Sequence, residues 1–201
     1  MYETLLDGLG DQRIFVTYDH GKIEIMSPSR RHEIYGDIIA AMIREVTVAL
    51  GIPLASGGMT TFKRKDLDRG LEPDKCFWIK SESRVRGVMD VDLAIHPAPD
   101  LAIEIEITRR ISDRESIYVD LGVAELWRHD GRHLRIQHLV SGKYRDRPRS
   151  KALPMLPPAV VDRFLRLVGK KDETSIIRAF RAWMCDELVE KHGRRRGRKR
   201  P

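Results

Sequence analysis

The chain has few cysteines and no long apolar run. Only two of its 201 residues are cysteines, Cys76 and Cys185, and no C-x-x-C pair occurs. Neither a disulfide framework nor a structural zinc site is therefore expected, and a reducing cytoplasm is the expected location. No stretch of 18 apolar residues is present, so no transmembrane helix is expected. The first residues carry acids and no cationic segment before an apolar run, which argues against a secretory signal.

The body of the chain has little excess charge of either sign. The net charge is +7, but residues 192–201 hold six of the 37 lysines and arginines and no acid. The rest of the chain has 31 basic and 30 acidic residues. We expect 192–201 to be a disordered basic tail, because it cannot bury apolar surface. It would either add sequence-independent affinity for phosphates or be solvated without a specific role.

Residue patterns predict alternating strands and helices. Alternation over 14–25 around the turn "DHG" predicts a hairpin. Residues 31–50 have one apolar helical face, with Ser29 as the expected cap and Gly51 as the stop. Two short strands or one bent strand are expected around 57–58, and a further strand over 75–79. A short helix should run from Ser112 or Asp113 to Gly122, followed by a hairpin at "DG" (130–131) with an edge strand. Two helices are expected at the end, over 160–168 and 173–191. This order predicts a mixed α/β fold, with a central sheet flanked by helices.

Two acids interrupt a segment that otherwise has the pattern of a strand. In "LAIEIEIT" (101–108) alternation places Glu104 and Glu106 on one face, about 6–7 Å apart. Two like charges this close raise one pKa unless a cation lies between them. Asp74 precedes the strand predicted over 75–79, so pairing of the two strands would bring three carboxylates to one sheet edge. Such oxygens suit Mg²⁺, which can activate water. The alternative is that this face of the strand is exposed to solvent and that Glu104 and Glu106 are simply solvated.

Four segments together resemble one known family. They are "KIEIMSPSRRHE" (22–33), "GGMTTFKRKDLDRGLEPDKCFWI" (57–79), "PAPDLAIEIEIT" (97–108) and "IYVDLGVAELWRHDG" (117–131). In this order they are similar to the restriction-endonuclease-like proteins of the Uma-two type, which are assigned to the PD-(D/E)xK nuclease superfamily. The match runs over 12–185. It implies a helix, a mostly antiparallel sheet and a second helix, with the metal site at a sheet edge.

The resemblance implies roles for two acids and for the start of the first helix. Asp74 of "EPD" matches the motif aspartate and Glu104 the first acid of the (D/E)xK element, so both would bind Mg²⁺, with Mn²⁺ as a possible substitute. Glu33 resembles the acid that the first helix often contributes. His32 beside it would position water or phosphate. Asp100 also follows a proline, but it lies on the same strand as Glu104 and cannot be the partner-strand aspartate.

The chain departs from the superfamily pattern two residues after Glu104. The pattern has lysine there, and this chain has Glu106. Glu106 would complete the metal shell or accept a proton. The missing positive charge would come from Arg114, which can stabilise an oxyanion but cannot act as a base near neutral pH.

The sequence thus predicts an Mg²⁺-dependent endonuclease that hydrolyses DNA phosphodiester bonds. One domain would span 1–191, followed by the tail 192–201. The alternative is a catalytically inactive module that retains the fold and binds nucleic acid or protein. The two C-terminal helices would pack on the body or, alternatively, form a homodimer surface. No membrane partner is expected.

Overall fold

The structure, a computed structural model, describes residues 15–58, 60–64, 67–107 and 114–197. Within them the chain forms ten strands: β1 (Phe15–Asp19), β2 (Lys22–Met26), β3 (Ala55–Ser56), β4 (Phe62–Arg64), β5 (Arg69–Leu71), β6 (Lys75–Trp78), β7 (Leu101–Ile105), β8 (Glu125–His129), β9 (Leu134–Val140) and β10 (Lys143–Arg147). The α-helices of this part are α1 (Arg30–Leu50), α2 (Arg114–Leu121), α3 (Pro158–Leu165) and α4 (Glu173–Gly197).

The strands form two sheets. The larger sheet has the order β10-β9-β8-β7-β6-β3, and the smaller one has the order β2-β1-β5-β4. Strands β7 and β8 are parallel, and the other pairs are antiparallel. The predicted mixed α/β fold with a mostly antiparallel sheet flanked by helices is therefore confirmed.

Helix α1 begins and ends at the residues that the sequence indicates. The side chain of Ser29 accepts a hydrogen bond from the backbone N–H of His32 at 3.3 Å, as an N-cap does. Gly51 ends the helix with φ = 63°, a left-handed conformation that glycine adopts without steric cost. The apolar face of α1 packs on β7 and against α3 and α4.

The larger sheet has a hydrophobic core on each face. Leu101, Ile103 and Ile105 of β7 pack under α1, together with side chains of α3 and α4. Ala102 faces the other way, into a second core formed with α2 and the smaller sheet. All five residues of β7 are buried, so neither face of this strand is exposed to solvent. Glu104 shares the face of Ala102 and therefore points into the second core.

Both hairpins and the C-terminal helices form as predicted. The first hairpin turns at His20 and Gly21, which both have positive φ. The proposed caps Ser112 and Asp113 lie outside the described residues, whereas Gly122 follows α2 with φ = 75°. Helix α3 is shorter than predicted, and both C-terminal helices pack on the core. Helix α4 extends to Gly197, so its backbone includes the first part of the predicted tail. In the described part of the chain, none of the helices has the length and apolar character needed to cross a membrane.

Replacing Gly57 with alanine is expected to destabilise the fold by about 1–3 kcal/mol. A Cβ atom at this position would lie 2.5 Å from Sγ of Cys76 and 2.9 Å from Cζ3 of Trp78, and both side chains are buried. Urea denaturation measures the change. Gly36→Ala is the matched control, because its Cβ would lie 3.3 Å from the flexible end of Lys75 and in ordinary contact with Ile105 at 3.9 Å, and alanine favours the helix. Equal stability of Gly57→Ala and the unmodified protein would contradict the packing argument.

Candidate active site

The pairing of β6 with β7 brings Asp74 and Glu104 together. Lys75 pairs with Ile103 and Cys76 with Ala102 in this antiparallel ladder. Continuing the alignment by one residue places Asp74 opposite Glu104, on the same face of the sheet. Both side chains are buried, at 2% and 3% exposed. The solvated alternative is therefore wrong for Glu104, which lies in the core and has polar partners there.

Asp74 joins β7 to the start of α1. Its Oδ2 accepts a hydrogen bond from the backbone N–H of Ile105 at 2.5 Å and lies 3.0 Å from Nε2 of His32. The other ring nitrogen of His32, Nδ1, lies 3.3 Å from Oε1 of Glu33. Glu33, His32 and Asp74 thus form a chain in which the imidazole of His32 lies between the two carboxylates. An imidazolium can donate to both carboxylates, and a neutral ring to only one.

Glu104 is held by two side chains of α2. Its Oε1 lies 2.6 Å from a terminal nitrogen of Arg114 and accepts a hydrogen bond from the Tyr118 hydroxyl. The Arg114 guanidinium also donates to Oγ1 of Thr17 and to the backbone carbonyl of Glu72, each at 2.6 Å. Arg114 therefore joins β7 and α2 to the smaller sheet at this point.

Burial and the neighbouring carboxylates determine the ionisation of this cluster. Burial is the largest single influence on Arg114 and lowers its pKa, but the charges of Glu104, Tyr118 and Asp74 and the hydrogen bond with Glu104 together raise the pKa of the guanidinium. Burial, followed by the charge of Glu104, raises the pKa of the Tyr118 hydroxyl well above its ordinary value. Asp74 acts in the same direction on both groups. Arg114 is therefore a permanent cation, and Tyr118 is a hydrogen-bond donor near neutral pH.

Glu106 lies beyond the end of β7 and makes different contacts. Its carboxylate is 2.7 Å from Nε and 2.6 Å from a terminal nitrogen of Arg128, on the adjacent strand β8. Arg135 lies further away, at 3.9 Å. Arg128 also donates to Glu115 at 2.8 Å. The Glu106 side chain is 24% exposed, so it lies at the rim of the site and not in its buried part.

Tyr118 and Arg128 are site residues that the sequence reasoning missed. Tyr118 lies four residues after Arg114, one turn along the same helix, and this spacing could have indicated it. Arg128 pairs with Glu104 in the parallel ladder, and no local pattern reveals that neighbour. Asp100, which the sequence reasoning set aside, lies before β7, and its Oδ2 accepts hydrogen bonds from Ile79 N at 2.7 Å and Ser81 N at 2.9 Å.

The donor set fits a hard divalent ion with two protein carboxylates. Mg²⁺ commonly binds one or two carboxylates and keeps several waters, and Asp74 and Glu104 supply two. Within residues 15–58, 60–64, 67–107 and 114–197, no three His, Cys, Asp or Glu side chains form a group that could hold a metal ion. The remaining ligands would therefore be water and substrate oxygens.

Two buried histidines predict a loss of stability in mild acid. Burial lowers the pKa values of His129 and His138 below the ordinary 6.5. The unfolded chain then binds protons that the folded chain does not, so stability is complete above pH 6.5 and falls as the pH decreases below it. Each group contributes up to about 1.4 kcal/mol per pH unit.

Urea denaturation at pH 7.5 and 5.5 measures this dependence. His129→Phe should reduce the difference between the two pH values, because the ring already packs 4.9 Å from that of Tyr35 and phenylalanine does not titrate. His133→Gln is the control, since His133 is 71% exposed. An unchanged pH dependence in His129→Phe would contradict the assignment.

The comparisons with known proteins agree with this architecture. The fold is similar to the crystal structure of a "putative nuclease belonging to DUF820" from Anabaena variabilis, with a TM-score of 0.53 and 18% identity over 75% of this chain and 90% of that chain. The two proteins therefore share a fold. A family model described as "Uma2: Putative restriction endonuclease" matches residues 2–166. The chain belongs to the Uma2 family, and the resemblance found in its sequence is confirmed. No curated protein matches the chain.

Proposed function

We propose that the protein is an Mg²⁺-dependent endonuclease that hydrolyses DNA phosphodiester bonds. The observation that carries the proposal is the placement of two buried carboxylates, Asp74 and Glu104, opposite each other on paired strands. Two such groups are retained in a core only where a cation or a hydrogen-bond network compensates for their charge. Family membership and the nuclease-like fold support the same conclusion.

The site residues divide into metal ligands and supporting groups. Asp74 and Glu104 would hold Mg²⁺, or Mn²⁺ in its place, and the ion would neutralise phosphate charge and lower the pKa of a bound water. His32 orients Asp74, and Glu33 holds the far side of that imidazole and would be an outer ligand through water. Arg114 fixes Glu104 and supplies positive charge that favours the transition state of the phosphate.

Glu106 keeps two proposed roles, completion of the metal shell or acceptance of a proton. Its carboxylate pairs with Arg128, so either role requires this pair to open or to share its oxygens. Arg128 would then supply a second positive charge, at the rim, in addition to that of Arg114, because it lies beside Glu104 in the parallel ladder.

The test is nicking of a supercoiled plasmid by the full chain in the presence of Mg²⁺ or Mn²⁺. We expect nicking with either ion and none in EDTA. Absence of nicking with both ions would reject the enzymatic proposal. We also propose a cytoplasmic location and a homodimer. Analytical ultracentrifugation gives the mass in solution and tests the dimer.

A non-catalytic binding module is the second candidate. The contacts of Arg114 with Glu104 and of Arg128 with Glu106 favour it, because the acids already have counter-ions. Calorimetric titration with Mg²⁺ separates the two candidates. An endonuclease should bind the ion in a manner that Glu104→Gln abolishes, whereas the binding module should show no such dependence.

A further inference from the structure

A cavity adjoins the candidate active site on the other side of the first turn of α1. It has a volume of about 750 Å³ and lies between the first half of α1 and the segment that joins α3 to α4. This volume is within the range of small-molecule sites. Its lining combines positive and apolar side chains, principally Arg30, Arg31, Lys171, Ile34, Val168 and Ile176.

Within the described part of the chain, the three cations of this cavity lack counter-ions. Among the described residues, no carboxylate lies within salt-bridge distance of Arg30, Arg31 or Lys171, and all three side chains are exposed. The Arg31 guanidinium lies over the ring of Tyr35, 5.4 Å from its centre, and donates to the Tyr35 hydroxyl at 3.2 Å. Arg31 is thus held in place without being neutralised.

Two acids also line the cavity, and one of them is already engaged. Asp172 accepts hydrogen bonds from the backbone N–H and hydroxyl of Ser175, at 2.9 and 2.6 Å. Glu173 is exposed in the first turn of α4. The cations outnumber the acids, so the cavity favours a ligand that combines negative charge with an apolar, planar part.

The first turn of α1 connects the cavity to the carboxylate site. His32 is directed toward Asp74 at 3.0 Å, whereas the adjacent Arg31 lines the cavity. A DNA strand that occupies both the carboxylate site and the cavity would cross this turn. The nucleotide next to the phosphate at the carboxylate site would then lie in the cavity.

We propose that this cavity is a subsite for the nucleotide next to the cleaved bond. Arg30, Arg31 and Lys171 bind its phosphate, and the apolar wall holds its base. This inference rests on the proposed function, because it states how the DNA substrate of that site is bound. A base enters the cavity only when it leaves the helical stack, so the subsite favours single-stranded or unpaired DNA over a matched duplex.

Fluorescence anisotropy tests the subsite in the absence of metal. The probe is a fluorescein-labelled single-stranded oligonucleotide of about 12 nucleotides, bound to full-length protein with Asp74→Asn so that it is not cleaved. We expect Arg31→Ala and Lys171→Ala each to weaken binding about tenfold at low salt. Lys170→Ala is the matched control, because Lys170 is exposed and lies outside the cavity. Circular dichroism verifies that each variant is folded.

Catalytic and binding results can be distinguished. If plasmid nicking fails but oligonucleotide binding depends on Arg31 and Lys171 and not on Lys170, the subsite stands without the proposed catalysis. If nicking succeeds and the three variants bind alike, the subsite is rejected and the endonuclease remains. Tighter binding of a matched duplex than of the single strand also rejects the subsite.

Discussion

Plasmid nicking by Asp74→Asn is expected to be at least about 100-fold slower than nicking by the unmodified protein. Asparagine has nearly the same shape, and its amide oxygen can still accept the hydrogen bond of the Ile105 N–H. It lacks the negative charge that a divalent ion requires from this ligand. The rate is measured as loss of supercoiled plasmid with time at saturating Mg²⁺, and circular dichroism with thermal unfolding verifies the fold.

Asp100→Asn is the matched control for this experiment. Asp100 also follows a proline, but it accepts hydrogen bonds from the loop at Ile79 and Ser81, before the start of β7. We expect it to lower stability and to leave the nicking rate of the folded fraction unchanged. If Asp74→Asn nicks as fast as the unmodified protein, Asp74 is not a metal ligand.

Replacing Arg114 with methionine is expected to destabilise the protein by about 3–5 kcal/mol, because the buried Glu104 carboxylate would lose the cation that lies 2.6 Å from it. Arg114 is 8% exposed and contacts Glu104, Thr17 and the Glu72 carbonyl, so solvent cannot replace it. Arg114→Lys retains the charge but cannot make all three contacts in the same geometry. It should therefore lower the stability by less than Arg114→Met does. Urea denaturation at neutral pH gives both values.

A second substitution distinguishes charge imbalance from lost packing. Combining Arg114→Met with Glu104→Gln removes the buried charge and should recover part of the lost stability. Arg181→Met is the control, because Arg181 forms a two-contact ion pair with Glu45 that is open to solvent, and its removal should have little effect. If the double variant is no more stable than Arg114→Met, the charge on Glu104 is not the cause.

The sequence predicted the paired acids but not all that surrounds them. The strand patterns indicated that Asp74, Glu104 and Glu106 converge at one sheet edge. Continuing the β6–β7 alignment brings Asp74 opposite Glu104, whereas Glu106 pairs with Arg128, and the described residues contain no group of three metal-ligating side chains. The pattern also predicted that Glu106 shares a face with Glu104. It could not indicate that Arg128 holds Glu106, because that contact depends on β8 lying parallel to β7 across a connection that contains α2.

The sequence pattern also could not predict whether the second face of β7 is buried or exposed to solvent. Alternation is equally consistent with a wet face and with a second buried face, and the choice depends on what covers it. Here α2 and the smaller sheet cover that face, and Thr17, from a hairpin far away in the chain, contacts Arg114. Local residue order contains no information about such a layer.

The alignment of β6 with β7 has a consequence for assembly of the protein. If β6 shifted by one residue against β7, Asp74 would turn from the polar cluster into the aliphatic layer under α1, while Cys76 and Trp78 would leave their core. Such a mispaired chain would bury an uncompensated charge and would be strongly disfavoured. The acidic pair thereby disfavours incorrect strand pairing. A folded molecule in which β6 and β7 pair in the wrong register, with an incomplete site, should not accumulate.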